Sequence, residues 1–247
     1  MGNRMMRRHT PATIFMHWFN AACWIFLLAT GIGLIKNDDL QPIGGWYADL
    51  MRSIFGGGAN LLLAHEICGV IWAAGFLIFG LVGIRKYVIP FVREIATFSP
   101  SRDLMWLVTK GIQMTLGHKA LATIARRFGF AARIPDQGFY NTGQKLFAVP
   151  SLLGGVVIAV TGVIMMLSTS VITDPTIVQW SILIHFVTVG LVFAGLLIHI
   201  YMASIAAGER PAFISMFTGT VPEDYAEHHH KLWYDEVTAA SGKEASG

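Results

Sequence analysis

Charge is scarce in this sequence. Only 13% of the 247 residues are Asp, Glu, Lys or Arg, against about one-quarter in soluble domains, while 54% are hydrophobic. So little charge excludes an ordinary water-facing surface and points to a lipid bilayer as the solvent. The formal net charge is +3 and its basic residues are dispersed through loops, which excludes nucleic-acid binding as the main role. Cysteine is nearly absent as well. The two present, Cys23 and Cys68, are expected at different depths, the inner half of the first apolar stretch and the outer end of the second, so they read as core residues and not as a disulfide. Neither lies in a C-x-x-C-H sequence, which excludes covalent c-type haem attachment. The first apolar stretch, with Trp18, Cys23 and Trp24, lacks a small-residue cleavage site behind a short apolar core, so it is expected to be retained and not removed as a signal peptide. No internal repeat or low-complexity tract stands out.

Long apolar runs are what the chain does have. Four are read, at residues 14–35, 61–84, 144–167 and 177–206, each near or above the roughly 20 residues that cross a ~30 Å hydrocarbon core as a helix. Basic residues flank them unevenly. Arg4, Arg7 and Arg8 precede the first span. Arg85, Lys86, Arg93, Arg102, Lys110, Lys119, Arg126, Arg127 and Arg133 lie between the second and third, and Arg210, Lys231 and Lys243 follow the fourth. The opposite side has only Lys36 and Arg52 after the first span, and none between Leu167 and Ile177. The positive-inside rule then places both termini in the cytoplasm. The expected fold is all-α: an integral membrane four-helix bundle (14–206) between a cytoplasmic N-terminal segment (1–13) and a cytoplasmic tail (207–247). Its cytoplasmic connection, 85–143, is bracketed internally by Pro100 and Pro135. Leu121, Ile124, Ala125 and Phe128 recur there at helical spacing beside Arg126 and Arg127, as in a helix lying along the inner interface or packed on the bundle.

Four of the nine histidines fall inside the spans: His17, His65, His185 and His199. An ionisable side chain in hydrocarbon is costly and marks a functional hypothesis, the alternative being a neutral imidazole bonding a neighbouring helix. Their depths pair. His185 and His199 are 14 residues apart, close to four helical turns, so they share a face at levels about 21 Å apart. His65 near the start of the second span matches the outer level of His185, and His17 near the start of the first matches the inner level of His199. Two imidazoles from different helices suit the two axial positions of a haem that transfers electrons and has no open coordination position. The expected outer haem iron is held by His65 and His185, the inner by His17 and His199. Gly69, Gly190 and Gly195 lie within about five residues of these ligands, where a missing side chain admits either the flat macrocycle or a close helix contact. Zinc or copper fits poorly, since a tetrahedral site needs three or four ligands at one depth. Embedded carboxylates are lacking except for Glu66, expected at the outer interface as a solvated helix-start group.

These histidines, together with the Tyr140-Asn141-Thr142-Gly143-Gln144-Lys145 segment, the Leu183-Ile184-His185 to His199-Ile200-Tyr201-Met202-Ala203 helix and the tail Ala226-Glu227-His228-His229-His230-Lys231-Leu232-Trp233-Tyr234, make the chain resemble the gamma (cytochrome b) subunit of respiratory formate dehydrogenase. The resemblance covers nearly the whole chain and identifies the His-rich tail as part of the family pattern and not a purification tag. It implies two haems b and a bacterial inner-membrane, multi-pass location. It also implies an iron-sulfur partner subunit, a periplasmic molybdenum or tungsten catalytic subunit, and menaquinone as acceptor in anaerobic respiration; no primary substrate site belongs to this chain, and a higher oligomer of the complex is compatible with the family. The family's quinone residues map onto Asn141, Gly143 and His199; a helix cap is the other reading of Asn141. The connection 85–143 is longer than in the formate enzymes, which keeps related cytochrome b subunits of hydrogenases and sulfur-compound reductases open as alternatives. A haem-free membrane anchor is a third.

Overall fold

The computed structural model describes residues 4–206 and 208–244; the remaining residues, which the expected terminal segments include, and the side chains of Lys243 and Glu244 lie outside it. Helix α1 (Pro11–Leu34) is opened by a reciprocal cap in which Thr13 N donates to Thr10 Oγ1 and Thr10 N to Thr13 Oγ1, with Pro11 in the first turn where its missing N–H costs nothing. Gln41 closes the other end, its amide donating to the carbonyls of Ile32 and Ile35. A short helix α2 (Gly45–Phe55), not expected from the sequence, stops at Gly56, whose left-handed φ of 71° lets the chain reverse into α3 (Gly58–Gly83). One π-helical turn, Ile84–Val88, leads into α4 (Ile89–Ala96). The helix α5 (Pro100–Phe128) is broken at Gly117, whose φ of 83° no L-residue adopts without strain. Helices α6 (Thr142–Met166) and α7 (Pro175–Ile200) follow, and a second π turn ends the latter at Ile205. The chain finishes with α8 (Arg210–Thr218), α9 (Glu223–His229) and α10 (Lys231–Glu244). Two three-residue strands, β1 (Met5–Arg7) and β2 (Thr220–Pro222), pair antiparallel with Met6 opposite Val221.

These elements form two compact units. The first comprises Thr10–Val88 and Ser151–Leu197, and so carries α1, α2, α3 and most of α6 and α7. Its helices approach closely through small residues. A side chain at Gly33 would meet Met51 at 2.7 Å, at Gly75 the ring of Phe19 at 2.6 Å, and at Gly154 Val192 at 2.6 Å. Trp72 Nε1 donates to Asn20 Oδ1 at 2.9 Å, joining α1 to α3. Outward the helices are apolar: Leu81 is 66% exposed and Val82 86%. Among the described residues, four helical segments, Pro11–Leu34, Gly58–Ala96, Thr142–Met166 and Pro175–Ile205, are long and apolar enough to cross a membrane. Only 11% of each apolar window is buried within the protein, so lipid is the partner these faces fit.

The α1–α3 register corrects one expectation. Cys23 and Cys68 do not lie at different depths; their thiols meet at hydrogen-bonding distance and stay unlinked. Both sit near the middle of antiparallel helices, and the contacts of Asn20 with Trp72 and of Thr30 with His65 bring positions 23 and 68 level between them.

The second unit gathers the N-terminal residues to His9, Ile89–Pro150, and Ile198 to the C-terminus. Its core is Met6, Val221, Tyr225, Ala226 and Trp233, with Phe139 against them. Arg8 is held inside it. Its guanidinium donates to Phe139 O and lies 4.7 Å from the Phe139 ring centroid and 5.2 Å from that of Trp233. In α5, Leu121 and Ala125 are buried as the helical spacing predicts, while Phe128 projects outward at 76% exposure.

Candidate functional site

The structure brings two of the span histidines together. His65 comes from the second turn of α3 and His185 from the third turn of α7, both in the first unit and near enough to interact electrostatically. Each is held from behind in the same way. Thr30 Oγ1 lies 2.9 Å from His65 Nδ1 and donates its proton to Phe26 O at 2.8 Å. Thr161 Oγ1 lies 2.9 Å from His185 Nδ1 and donates to Val157 O at 2.7 Å. A hydroxyl has one proton, and here it is spent on the helix's own carbonyl, so the oxygen accepts from the ring. The Leu27 and Ile158 carbonyls are further acceptors for the two rings, and a carbonyl has no proton to give. The network therefore assigns the proton to Nδ1 on both rings and leaves both Nε2 lone pairs as donors to a metal. Gly31 and Gly162 flank the rings: an added Cβ would stand 3.3 Å from His65 Cε1 and 3.7 Å from His185 Cε1.

That donor set fits haem b. Two neutral imidazoles with Nε2 available, in an apolar helical unit, would supply a haem iron with two nitrogen donors. Among the described residues no group of three or more His, Cys, Asp or Glu comes together, as a tetrahedral zinc site would need. Glu66, next to His65, is half-buried.

The expected inner pair falls in different units, and each histidine is placed within its own. His17 lies in the second turn of α1, half-buried, with its ring edge-on to Trp18 at 5.2 Å. His199 lies in the last turn of α7 and stacks on Phe147 of α6, centroids 4.5 Å apart and planes within 7°.

Asn141 caps α6. Gln144 N donates to Asn141 Oδ1 at 2.9 Å while Asn141 N donates to Gln144 Oε1 at 3.0 Å, a reciprocal box that the Tyr-Asn-x-Gly-Gln-Lys segment encodes. Its side-chain amide nitrogen is outside that box and can donate elsewhere. Gly143, in the first turn, has Trp106 so near that a side chain would meet the indole at 3.3 Å. Beneath them is a buried polar network that sequence reasoning missed. Thr142 Oγ1 donates to Asp103 Oδ1, Gln137 Oε1 accepts from Thr142 N, and Lys145 Nζ donates to Thr97 O. Burial would raise the Asp103 pKa, but the Ser99 N–H, the Thr142 hydroxyl and the charges of Lys145 and Arg102 outweigh it and hold the carboxyl below its ordinary value. The other omissions were Thr30 and Thr161; only the Thr-Gly pair beside each could have drawn attention to them.

The C-terminal residues complete the second unit. His230 is fully buried, its Nδ1 donating to Gly138 O at 2.8 Å. Burial, aided by the charge of Arg8, pushes its pKa down to about 3 and keeps it neutral. Tyr225 Oη donates to Glu209 Oε2 at 2.9 Å, and Lys110 and His229 approach the other oxygen at 3.8 and 3.6 Å. Burial would raise the Glu209 pKa; His229, Tyr225 and Lys110 together hold it low instead.

The chain is 26% identical over 235 residues, 94% of its own length and 83% of the relative's, to the cytochrome b556 subunit of formate dehydrogenase from Haemophilus influenzae. It is 25% identical over 241 residues, 96% of each chain, to the cytochrome b556(fdo) subunit of formate dehydrogenase from Escherichia coli. The nitrate-inducible formate dehydrogenase subunit of the same organism, cytochrome b556(Fdn), is 33% identical over 117 residues, which are 46% of this chain and 52% of that one. The family model described as prokaryotic cytochrome b561 matches residues 8–219, and the chain belongs to that family.

Proposed function

We propose that this chain is the membrane cytochrome b subunit of a formate dehydrogenase, receiving electrons on the periplasmic side through an iron-sulfur subunit and delivering them to menaquinone near the cytoplasmic side. Family membership implies haem b and a membrane electron-transfer role in a multi-pass protein of the bacterial inner membrane. The observation that carries the finer reading is the pair His65 and His185, both half-buried and both with Nδ1 occupied and Nε2 left for iron. When bound, haem b supplies a one-electron carrier that needs no proton to change state. The chain's part is to ligate it, orient it and exclude water: His65 and His185 at the outer level, His17 and His199 at the inner. The inner pairing rests on the four-turn spacing of His185 and His199 along α7. The side-chain amide of Asn141, the backbone at Gly143 and His199 are proposed to receive the quinone; the excess of Lys and Arg in 85–143 supports a cytoplasmic placement for that end.

The donor assignment draws on the names of the relatives, and on the iron-sulfur and molybdenum or tungsten subunits that the family resemblance implies. The cytochrome b subunit of a hydrogenase or sulfur-compound reductase is the second reading, favoured by the long connection that contains α4 and α5. Affinity purification of the native complex through this chain, with identification of its partners and haem quantification, separates the two. Formate-reducible haem at two per chain is expected. Recovery of a hydrogenase large subunit in place of the molybdenum or tungsten subunit overturns the donor assignment, and one haem or none per chain overturns the two-haem reading.

A further inference from the structure

Thr30 and Thr161 stand in the same relation to their histidines, although they lie on different helix pairs. Thr30 is followed by Gly31 near the end of α1, and Thr161 by Gly162 near the end of α6. Each pair backs a histidine from the first turns of the next long helix, α3 or α7. The oxygen-to-Nδ1 distance is 2.9 Å in both, and each hydroxyl also bonds the carbonyl four residues back and approaches the one three back, Leu27 at 3.2 Å and Ile158 at 3.1 Å. Thr30 is 1% exposed and Thr161 6%. The sequence shows no long repeat, but the two helix pairs repeat this unit.

The back bond to a carbonyl is ordinary for a helical hydroxyl: Thr109 makes it to Met105 and Ser181 to Ile177. What distinguishes Thr30 and Thr161 is the imidazole nitrogen on the remaining side of the oxygen. We infer that Thr30 and Thr161 are paired positioning residues for the outer haem ligands, each fixing the Nδ1–H tautomer and the plane of its histidine and setting the basicity of the Nε2 donor. The inference rests on the assignment of His65 and His185 as axial ligands.

Two consequences follow from the chemistry. A hydroxyl that accepts from Nδ1–H makes the ring a stronger donor through Nε2, and a stronger donor favours ferric over ferrous iron. Removing this acceptor, with the Leu27 or Ile158 carbonyl left as the ring's other one, therefore raises the midpoint potential of that haem. Because each ring's plane is set by its own threonine, loss of either also changes the relative orientation of the two imidazole planes, which the g-values of a low-spin ferric haem report. Neither effect reaches a haem held by other histidines. Gly31 leaves the His65 ring free to meet Thr30, since a Cβ there would crowd that ring at 3.3 Å; at Gly162 a Cβ would stand at an ordinary contact distance of 3.7 Å from the His185 ring.

The test uses the native complex purified with its partner subunits, in wild type and in the variants Thr30→Val, Thr161→Val, Thr30→Ser and Thr161→Ser. Haem content, redox titration and the low-temperature electron paramagnetic resonance spectrum are read, with His65→Ala identifying the outer component. Each Val variant is expected to retain the inner signal unchanged and to raise the outer midpoint by up to a tenfold change in the ferric-to-ferrous preference, about 59 mV for a one-electron couple. The outer g-values should move, and both Ser variants should restore them. Val variants that keep both haems with unchanged potential and g-values overturn the inference, as do Ser variants that fail to restore a signal lost with Val, since the threonine methyl would then be what matters. A wild-type complex with no haem component that His65→Ala and His185→Ala both remove overturns the ligand assignment itself, and the role of the threonines with it.

Discussion

His65 and His185 make a sharp case at the residue scale because they are reached from different helices and end with the same nitrogen engaged. Replacing either with Ala is expected to remove the same visible-absorption component from the purified complex, while His17→Ala and His199→Ala should remove the other. Reduced-minus-oxidised spectra at low temperature check this, and loss of one component by both His65→Ala and His17→Ala would break the two-level assignment. The histidines were legible in the sequence because an imidazole among aliphatic residues has no cheap explanation. Thr30 and Thr161 were not. A threonine in an apolar helix satisfies itself on its own backbone, so its spacing shows nothing, and the partner nitrogens lie 35 and 24 residues away. The Cys23 and Cys68 depths were misjudged for a related reason: span ends read from composition shift by a few residues, and two antiparallel helices compound the error.

Individual elements show where local chemistry decides. The start of α6 is held by Asn141 above and Asp103 below, and both act on the same turn. Replacing Asp103 by Ala strands Ser99 N, leaves the Thr142 hydroxyl only its bond to Gln137 Oε1 and leaves Lys145 without its nearby carboxylate, so a loss of about 2 kcal/mol is expected. Thermal unfolding of the detergent-purified complex, followed by the circular dichroism of the chain's helices or by haem release, measures it; a change within experimental error means the network carries no stability. Asn141 was legible as a cap, whereas Asp103 was hidden because an acidic residue in a basic connection reads as solvated surface. The C-terminal elements respond to pH. His230 keeps its proton off in the folded state down to about 3, while an unfolded histidine takes one near 6.5. Its contribution is therefore complete above about pH 6.5 and declines on acidification by at most about 1.4 kcal/mol per pH unit. Glu209, held below its ordinary value, adds a further loss only at still lower pH, as the carboxylate protonates. Limited proteolysis of α8–α10 is expected to accelerate from pH 7 to pH 5, and His230→Asn, which keeps a donor for Gly138 O, should flatten that dependence. Equal slopes in the two proteins would remove His230 as the cause.

For the whole molecule, the proposed function gives electrons and protons different routes. Four apolar helical segments were legible from length and composition, and the structure places helices over the same stretches; the strand pair β1–β2 and helix α2 were not, because three-residue strands and a helix of 11 residues fall below what periodicity resolves. In the proposed arrangement, with the donor on the periplasmic side and the quinone beside Asn141, Gly143 and His199 on the cytoplasmic side, the electron alone would cross the hydrocarbon, while the protons that quinone reduction consumes would come from the cytoplasm. Each charge so moved is worth about 2.3 kcal/mol per 100 mV of membrane potential, and no proton channel is needed. A quinone-analogue inhibitor is then expected to block re-oxidation of both haems while leaving their reduction by the donor intact, and to shift the spectrum of the component that His199→Ala removes. Asn141→Ala removes both the cap and the proposed quinone donor. The cap should cost about 1 kcal/mol of stability, a loss that Asn141→Ser, which can cap but offers no amide, should largely restore. Inhibitor affinity should fall in both variants with both haems retained. Affinity recovered in the Ser variant would assign Asn141 to the cap alone, and a spectral shift confined to the component that His65→Ala removes would move the quinone to the outer level, where its reduction would separate no charge.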